Sequence, residues 1–435
     1  MSETTTTPPV AADELTVEHI VTAAPVSPAQ RFGAAAALLV LGLVTIWRFG
    51  IDGHHHQDAT IRLGALNASN VPHFTVPAVP VAWGVGVVTI LLGALWLAFP
   101  RRRWFGIVMG VGIGLFVVAL ICWLASASSF AFVDVVGLLT TGILLAVPLI
   151  LGALAGVMCE RSGVINVAIE GQMLAGAWAA ALIGTVVGAA AGVLASALAG
   201  ALMGWLLAVF AIRYIVNQVV LGVVLNVFAA GLTGFFYDAF MQPHAESLNQ
   251  VTILENHKIP LVGDIPVIGP LLFDTSYIVY LTYVLIVVVD IMLFRSRWGL
   301  RTRAVGEHPK AADTVGIRVL AMRYRNVIIG GAIAGIGGSY FILQVGSFSK
   351  NITSGQGFIA LAAVIFGAWN PVYAFGAALV FGFSDSAQAL LSILGVDVPP
   401  QLLNSVPYLV TIIVVAGVVG RVRGPAAAGQ PYDQG

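Results

Sequence analysis

From Arg31 onward the chain is a succession of apolar runs, most of them about 20 residues long, parted by polar breaks. A bilayer-crossing helix needs a run of that kind, because its backbone groups must be satisfied internally. Candidate spans fall at 32–49, 79–99, 105–125, 135–158, 166–187, 188–212, 217–238, 276–294, 326–345, 358–369, 372–392 and 404–420. The predicted fold is all-α, a polytopic transmembrane helical bundle of about 11–12 membrane segments with broken or half helices. The run 358–369 is too short to cross alone. Asn370-Pro371 ends it, since proline lacks a backbone donor and clashes with the preceding turn. Charged residues make up only 9% of the chain, against roughly 25% in a soluble domain, so lipid is the natural solvent for most of the surface.

The basic residues set an orientation. With the N-terminal segment in the cytoplasm, Arg31, Arg101, Arg102, Arg103, Arg161, Arg213, Arg295, Arg297, Arg301, Arg303, Lys310, Arg318, Arg323, Arg325, Arg421 and Arg423 share that side. Only Arg48, Arg62, Lys258 and Lys350 fall outside. This asymmetry follows the positive-inside rule and places both termini in the cytoplasm. Residues 1–30, rich in Thr, Pro and Ala, show no period and are predicted to be a disordered tail. They lack the pattern of a cleaved signal, so the run at 32–49 is read as a retained span. Two outer segments are long, 50–78 and 239–275. The first carries His54-His55-His56, read as an exposed polar loop because no carboxylate or cysteine accompanies it as a metal ligand set.

Catalytic motifs are missing. None of the three lysines, Lys258, Lys310 and Lys350, follows a glycine, so there is no P-loop. There is no HExxH, no GxSxG and no Cys/His metal set. Cys122 and Cys159 fall near opposite ends of different spans and do not suggest a bridge. Formal net charge is zero, which points to no nucleic acid partner. Such a chain reads as a channel, transporter or scaffold and not as an enzyme, with no cofactor of its own.

Three stretches break the apolar pattern. Cys159 to Met173 inserts a glycine, an asparagine and Glu170 between two spans. A carboxylate in a bilayer is costly unless solvated or paired, so Glu170 faces a cavity, a partner or the interface. Near a helix start it also favours the positive dipole end, within reach of Arg161. Trp298 to Ile317 lies in the longest cytoplasmic loop; Pro309 suits the first position of a short helix and Gly316 its left-handed close. Ser347 to Asp385 is rich in glycine around Asn370-Pro371. Transporters build sites from such broken helices, because irregular backbone is tolerated only beside protein or water.

These stretches together resemble the permease subunits of ATP-binding-cassette (ABC) importers for nucleosides and simple sugars, a family distantly similar to the branched-chain amino acid permeases. Glu160-Arg161-Ser162-Gly163-Val164-Ile165-Asn166 with Glu170-Gly171 resembles its most recognisable signature, and Gly299-Leu300-Arg301 to Gly316-Ile317 its cytoplasmic coupling segment. Asn217-Gln218-Val219-Val220 with Asn226 is similar to a third pattern, in which glutamate usually stands at the position of Gln218. Ile265 to Phe273 resembles the outer loop. The resemblance covers about residues 135–423. It implies an N-terminal transmembrane extension at 31–134, a core at 135–423 with a coupling loop at 295–325, and a cytoplasmic tail at 424–435.

What the resemblance further implies is a complex in a bacterial plasma membrane. Its partners would be a cytoplasmic ABC ATPase that binds the ATP, a second homologous permease and an extracytoplasmic solute-binding lipoprotein, with lipid around the bundle. The expected solute path uses Asn166, Glu170, Asn217, Gln218 and Asn226, whose donors and acceptors suit ribose hydroxyls and base edges, with Phe358 or Trp369 able to stack a base. Expected ATPase contacts are Arg301, Arg303, Glu307 and Asp313 on a short helix bounded by Pro309 and Gly316. Three alternatives stay open: the same architecture for monosaccharides or amino acids, a non-transporting scaffold, and an ion-coupled transporter using Glu170, Asp290 and Asp385.

Overall fold

The structure, a computed structural model, describes residues 28–51, 58–62, 73–100, 104–127, 132–393 and 423–432. The tail up to residue 27, His54-His55-His56, Arg101–Arg103, the predicted span 404–420 and Arg421 lie outside the described residues. Contacts divide the chain into two units, one holding Met1–Thr60 and Thr75–Ala127, the other Ile61–Phe74 and Ser128–Gly435.

The first unit contains α1 (Pro28–Val44), continued in wider turns through Ile51, α2 (Ala78–Ala98) and α3 (Phe105–Ala127). α1 and α2 approach closely where Gly42 faces Gly86, and Arg31 donates to the Leu97 carbonyl at 2.7 and 3.0 Å. Phe49 stacks near Phe116 and Trp123, with ring centroids 5.7 and 5.3 Å away. In sequence, the short strands β1 (Asp58–Arg62) and β2 (His73–Pro77) fall between α1 and α2, and β3 (Phe132–Asp134) follows α3.

The second unit continues with α4 (Val135–Glu160), α5 (Ile169–Val186), α6 (Ala189–Ala208), α7 (Gln218–Phe236) and the single turn α8 (Ala245–Leu248). After these come α9 (Tyr277–Asp290), α10 (Arg297–Glu307), α11 (Pro309–Thr314), α12 (Val319–Val345), α13 (Gln356–Phe366) and α14 (Pro371–Ile393). Among the described residues ten helices are long and apolar enough to cross a membrane, and α13, with 11 residues, is a half helix beside them. The chain is therefore a multi-pass helical membrane protein. Two short strands between α8 and α9, β4 (His257–Lys258) and β5 (Asp274–Thr275), pair antiparallel with His257 opposite Thr275.

α4 is the axis of this unit. Every residue from Ala146 to Glu160 is buried, on all sides of the helix, which marks a core helix and not a lipid-facing one. α13 runs alongside it in the same direction, with Gly152 against Ala360 and Gly156 against Val364. α14 runs the other way, Gly382 lying on Gly142 and Ser386 donating to the Leu138 carbonyl at 2.7 Å. α12 packs on α6 through small residues: Gly335 on Ser196, Gly331 on Gly200 and Val327 on Gly204. It meets α5 where Gly335 faces Gly176. Small faces of this kind let backbones touch, so dispersion replaces a hydrophobic drive that lipid cannot supply.

Two boundaries differ from those read in the sequence. α12 begins at Val319, seven residues before the predicted start at 326. Val319 and Met322 pack with Val305 and Ala312, which rewards extension of the helix through a stretch whose arginines look like loop. The half helix is Gln356–Phe366 and not 358–369, because Gly367 and the left-handed Ala368 and Trp369 already form the exit turn.

Candidate functional site

The site forms where α4 reverses into α5. Gly163, at φ +91°, permits the reversal, and Ser162 Oγ donates to the Cys159 carbonyl at 2.7 Å. Residues 164–168 then run without regular helix. Inside a lipid-embedded bundle their backbone needs partners, and α7 supplies them. Gln218 Oε1 accepts from Ile165 N at 2.7 Å. Asn226 accepts from Gly171 N at 2.8 Å and donates to the Val167 carbonyl at 2.9 Å. Asn166, fully buried, accepts from Ala168 N at 3.1 Å and donates to Gln172 Oε1 at 3.0 Å.

The hairpin holds α13 at both ends. A helix start exposes amide donors, and α13 has only Gly355, at φ +83°, in the capping position. Glu170 supplies the missing acceptor. Its Oε1 accepts from Thr353 Oγ1 at 2.5 Å and Gly355 N at 2.8 Å, and its Oε2 from Gly357 N at 2.6 Å. Three donors on one carboxylate give charge-assisted bonds, and the negative charge meets the positive dipole end. Gly357 must lack a side chain here, since a Cβ would lie 2.5 Å from Glu170 Cα. Glu170 does lie in the first turn of α5, as the sequence predicts, but its carboxylate serves α13 and does not pair with Arg161.

Arg161 serves the other end. Its Nε donates to the Trp369 carbonyl at 2.7 Å and its Nη2 to the Ala368 carbonyl at 3.1 Å, placing a cation at the negative dipole end. Burial pulls this guanidinium below its ordinary pKa, while the nearby Glu307 carboxylate opposes the shift. Trp369 Nε1 donates to Glu160 Oε2 at 2.5 Å. Asn370 accepts from Val372 N and Tyr373 N at 2.9 and 3.2 Å, capping α14 at Pro371.

The α10–α11 pair sits on the same hairpin. Ser296 caps α10 by accepting from Gly299 N at 3.0 Å. Pro309 is the first residue of α11, His308 Nδ1 accepts from Ala311 N at 3.2 Å, and Gly316 takes φ +81°. Gly306 lies against the Arg161 carbonyl with no room for a Cβ. The Arg161 and Arg303 guanidinium carbons stand 5.4 and 5.0 Å from the Phe294 ring centre. Arg303 therefore turns inward, whereas Arg301 is exposed. Glu307 Oε2 accepts from Ala426 N at 3.2 Å and Asp313 Oδ2 from Tyr432 Oη at 2.8 Å.

The structure thus gathers Asn166, Glu170, Gln218 and Asn226 at one hairpin, where each accepts at least one hydrogen bond from within the chain. Asn217 is exposed and caps α7, accepting from Val219 N and Val220 N at 3.0 and 3.2 Å. Phe358, 48% exposed, and Trp369 mark opposite ends of α13. Sequence reasoning missed Thr353, the Glu160–Trp369 bond and the buried Arg323. A signal for the first existed: a helix starting at Gly355-Gln356-Gly357 has no capping side chain of its own, which implies an acceptor from elsewhere.

One hairpin thus grips a half helix at both ends and seats the α10–α11 pair. Residues 138–415 match the family model described as branched-chain amino acid transport system / permease component, and the chain belongs to that family. It is 41% identical over 301 residues to the guanosine ABC transporter permease protein NupQ of Bacillus subtilis (strain 168), covering 67% of this chain and 94% of that one. It is 37% identical to the nucleoside ABC transporter permease protein NupC of Lactococcus lactis subsp. cremoris (strain MG1363), covering 66% and 93%. The putative glucose ABC transporter permease protein TsgC13 of Haloferax volcanii is 32% identical, over 68% and 98%. No solved structure matches. The chain is a permease of the ABC importer type, and α1–α3 precede the matched region.

Proposed function

We propose that this chain is one of two permease subunits of an importer that carries a nucleoside inward, driven by ATP hydrolysed on a separate cytoplasmic ATPase. An extracytoplasmic lipoprotein delivers the solute, and both termini face the cytoplasm of a bacterial cell. The nucleoside assignment rests on the relatives named for guanosine and nucleosides, over nearly their whole length. The glucose-named relative keeps a simple sugar as the second reading.

One observation carries the mechanism: Gly306 seats α10 on the Arg161 backbone, and that same hairpin holds both ends of α13. A push on α10–α11 is therefore passed to the half helix without an intervening flexible link. ATP drives the switch by binding one arrangement better than the other. Arg301, Arg303, Glu307 and Asp313 shape the face that meets the ATPase, with Pro309 and Gly316 bounding the helix. Asn217 and Phe358 present free surface to the solute, while Asn166, Glu170, Gln218, Asn226 and Trp369 hold the wall behind them.

The test is uptake by proteoliposomes holding the two permeases and the ATPase, with the lipoprotein outside. Labelled guanosine enters only with internal ATP, and glucose does not compete. Uptake that persists without ATP and stops with an uncoupler sinks this reading in favour of ion coupling.

A further inference from the structure

The segment 423–432 is not a free tail. Its composition, Arg-Gly-Pro-Ala-Ala-Ala-Gly-Gln-Pro-Tyr, is small and flat, and it lies across four parts of the site. Ala427 N donates to the Gly306 carbonyl at 2.9 Å and Ala426 N to Glu307 at 3.2 Å, on α10. Tyr432 Oη donates to Asp313 at 2.8 Å, on α11. Gly429 N donates to the Gly163 carbonyl at 3.2 Å, on the hairpin. Gly424 faces the Trp369 indole at the exit of α13, where a Cβ would lie 2.9 Å from the ring. Ala427 and Tyr432 are buried.

The segment also completes α12. Arg323 is 2% exposed, and its Nη1 donates to the Gln430 carbonyl at 3.0 Å. Its Nε and Nη2 have no hydrogen-bond partner among the described residues. A buried guanidinium is costly without acceptors, so a segment that brings one is a built part of this face.

We propose that residues 423–432 are a coupling strap, which binds the α10–α11 pair to the hairpin and to the exit of α13 and so fixes how much solute moves per ATP hydrolysed. This rests on the ATP-driven reading above. Without the strap, α10–α11 follows the ATPase while the hairpin lags. Hydrolysis continues and transport falls behind it. A segment that only aids folding would instead lower both rates together.

The experiment compares the whole importer in proteoliposomes carrying wild-type chain, a deletion of 424–435, and Tyr432→Phe, which keeps the ring and removes the bond to Asp313. Solute moved per ATP falls about fivefold in the deletion, the low end of ordinary coupling strength, and less in Tyr432→Phe, with ATP turnover kept. In membranes, cysteines at two exposed positions, E307C and A426C, become bridged by a short bifunctional thiol reagent. A wild-type ratio in a deletion chain that melts normally overturns the strap, and so does failure of the pair to cross-link. If the deletion chain does not fold, an unchanged ratio in Tyr432→Phe overturns it. A wild-type complex without ATP-linked uptake overturns the transport reading itself, and the cross-linking result separates the two failures.

Discussion

The two ends of α13 are held by opposite charges in different ways. At its start, one carboxylate collects a hydroxyl and two amide donors. At its exit, one guanidinium reaches two carbonyls that the left-handed turn at Ala368 and Trp369 has turned outward. For a side-chain acceptor the start depends on one residue brought from α5, because Gly355 offers none. The exit has a second tie, from Trp369 to Glu160. A half helix of 11 residues is marginal alone, so its position is set by these grips, and the start has the single point of failure.

Substitutions test that contrast. Glu170→Ala has the largest effect, a loss of about 3 kcal/mol in thermal unfolding of the purified protein, since three donors lose a charged acceptor together. Arg161→Ala costs about 2 kcal/mol, because exit carbonyls reach solvent more readily and Trp369 keeps its bond to Glu160. Equal losses for the two variants would break the comparison. Thr353→Val, which keeps the shape and removes only the hydroxyl donor, costs about 1 kcal/mol in the same measurement. A Thr353→Val loss as large as that of Glu170→Ala would shift the grip from the amides to the hydroxyl.

What the sequence disclosed was local. The break at Asn370-Pro371, Pro309 at a helix start, the left-handed Gly316 and Glu170 in a first turn all follow from rules spanning a few residues. What it hid was pairing at a distance. Thr353 is 183 residues from Glu170, and the Trp369 carbonyl 208 from Arg161. Asn166, Gln218 and Asn226 show a second limit. An amide that lines a solute path and one that satisfies a bent backbone have the same chemistry, and only orientation separates them. Arg323 misled for a related reason: an arginine reads as surface unless the segment that covers it, 107 residues on, is known to fold back.

The glycine contact between α6 and α12 has one more consequence. Where Gly200, Gly331 and Gly335 bring backbone onto backbone, no side chain is left to change rotamer and absorb a sliding motion. The two helices, with α5 joined to them at Gly176, then behave as a single plank. Any hinge in the transport cycle has to fall outside this contact.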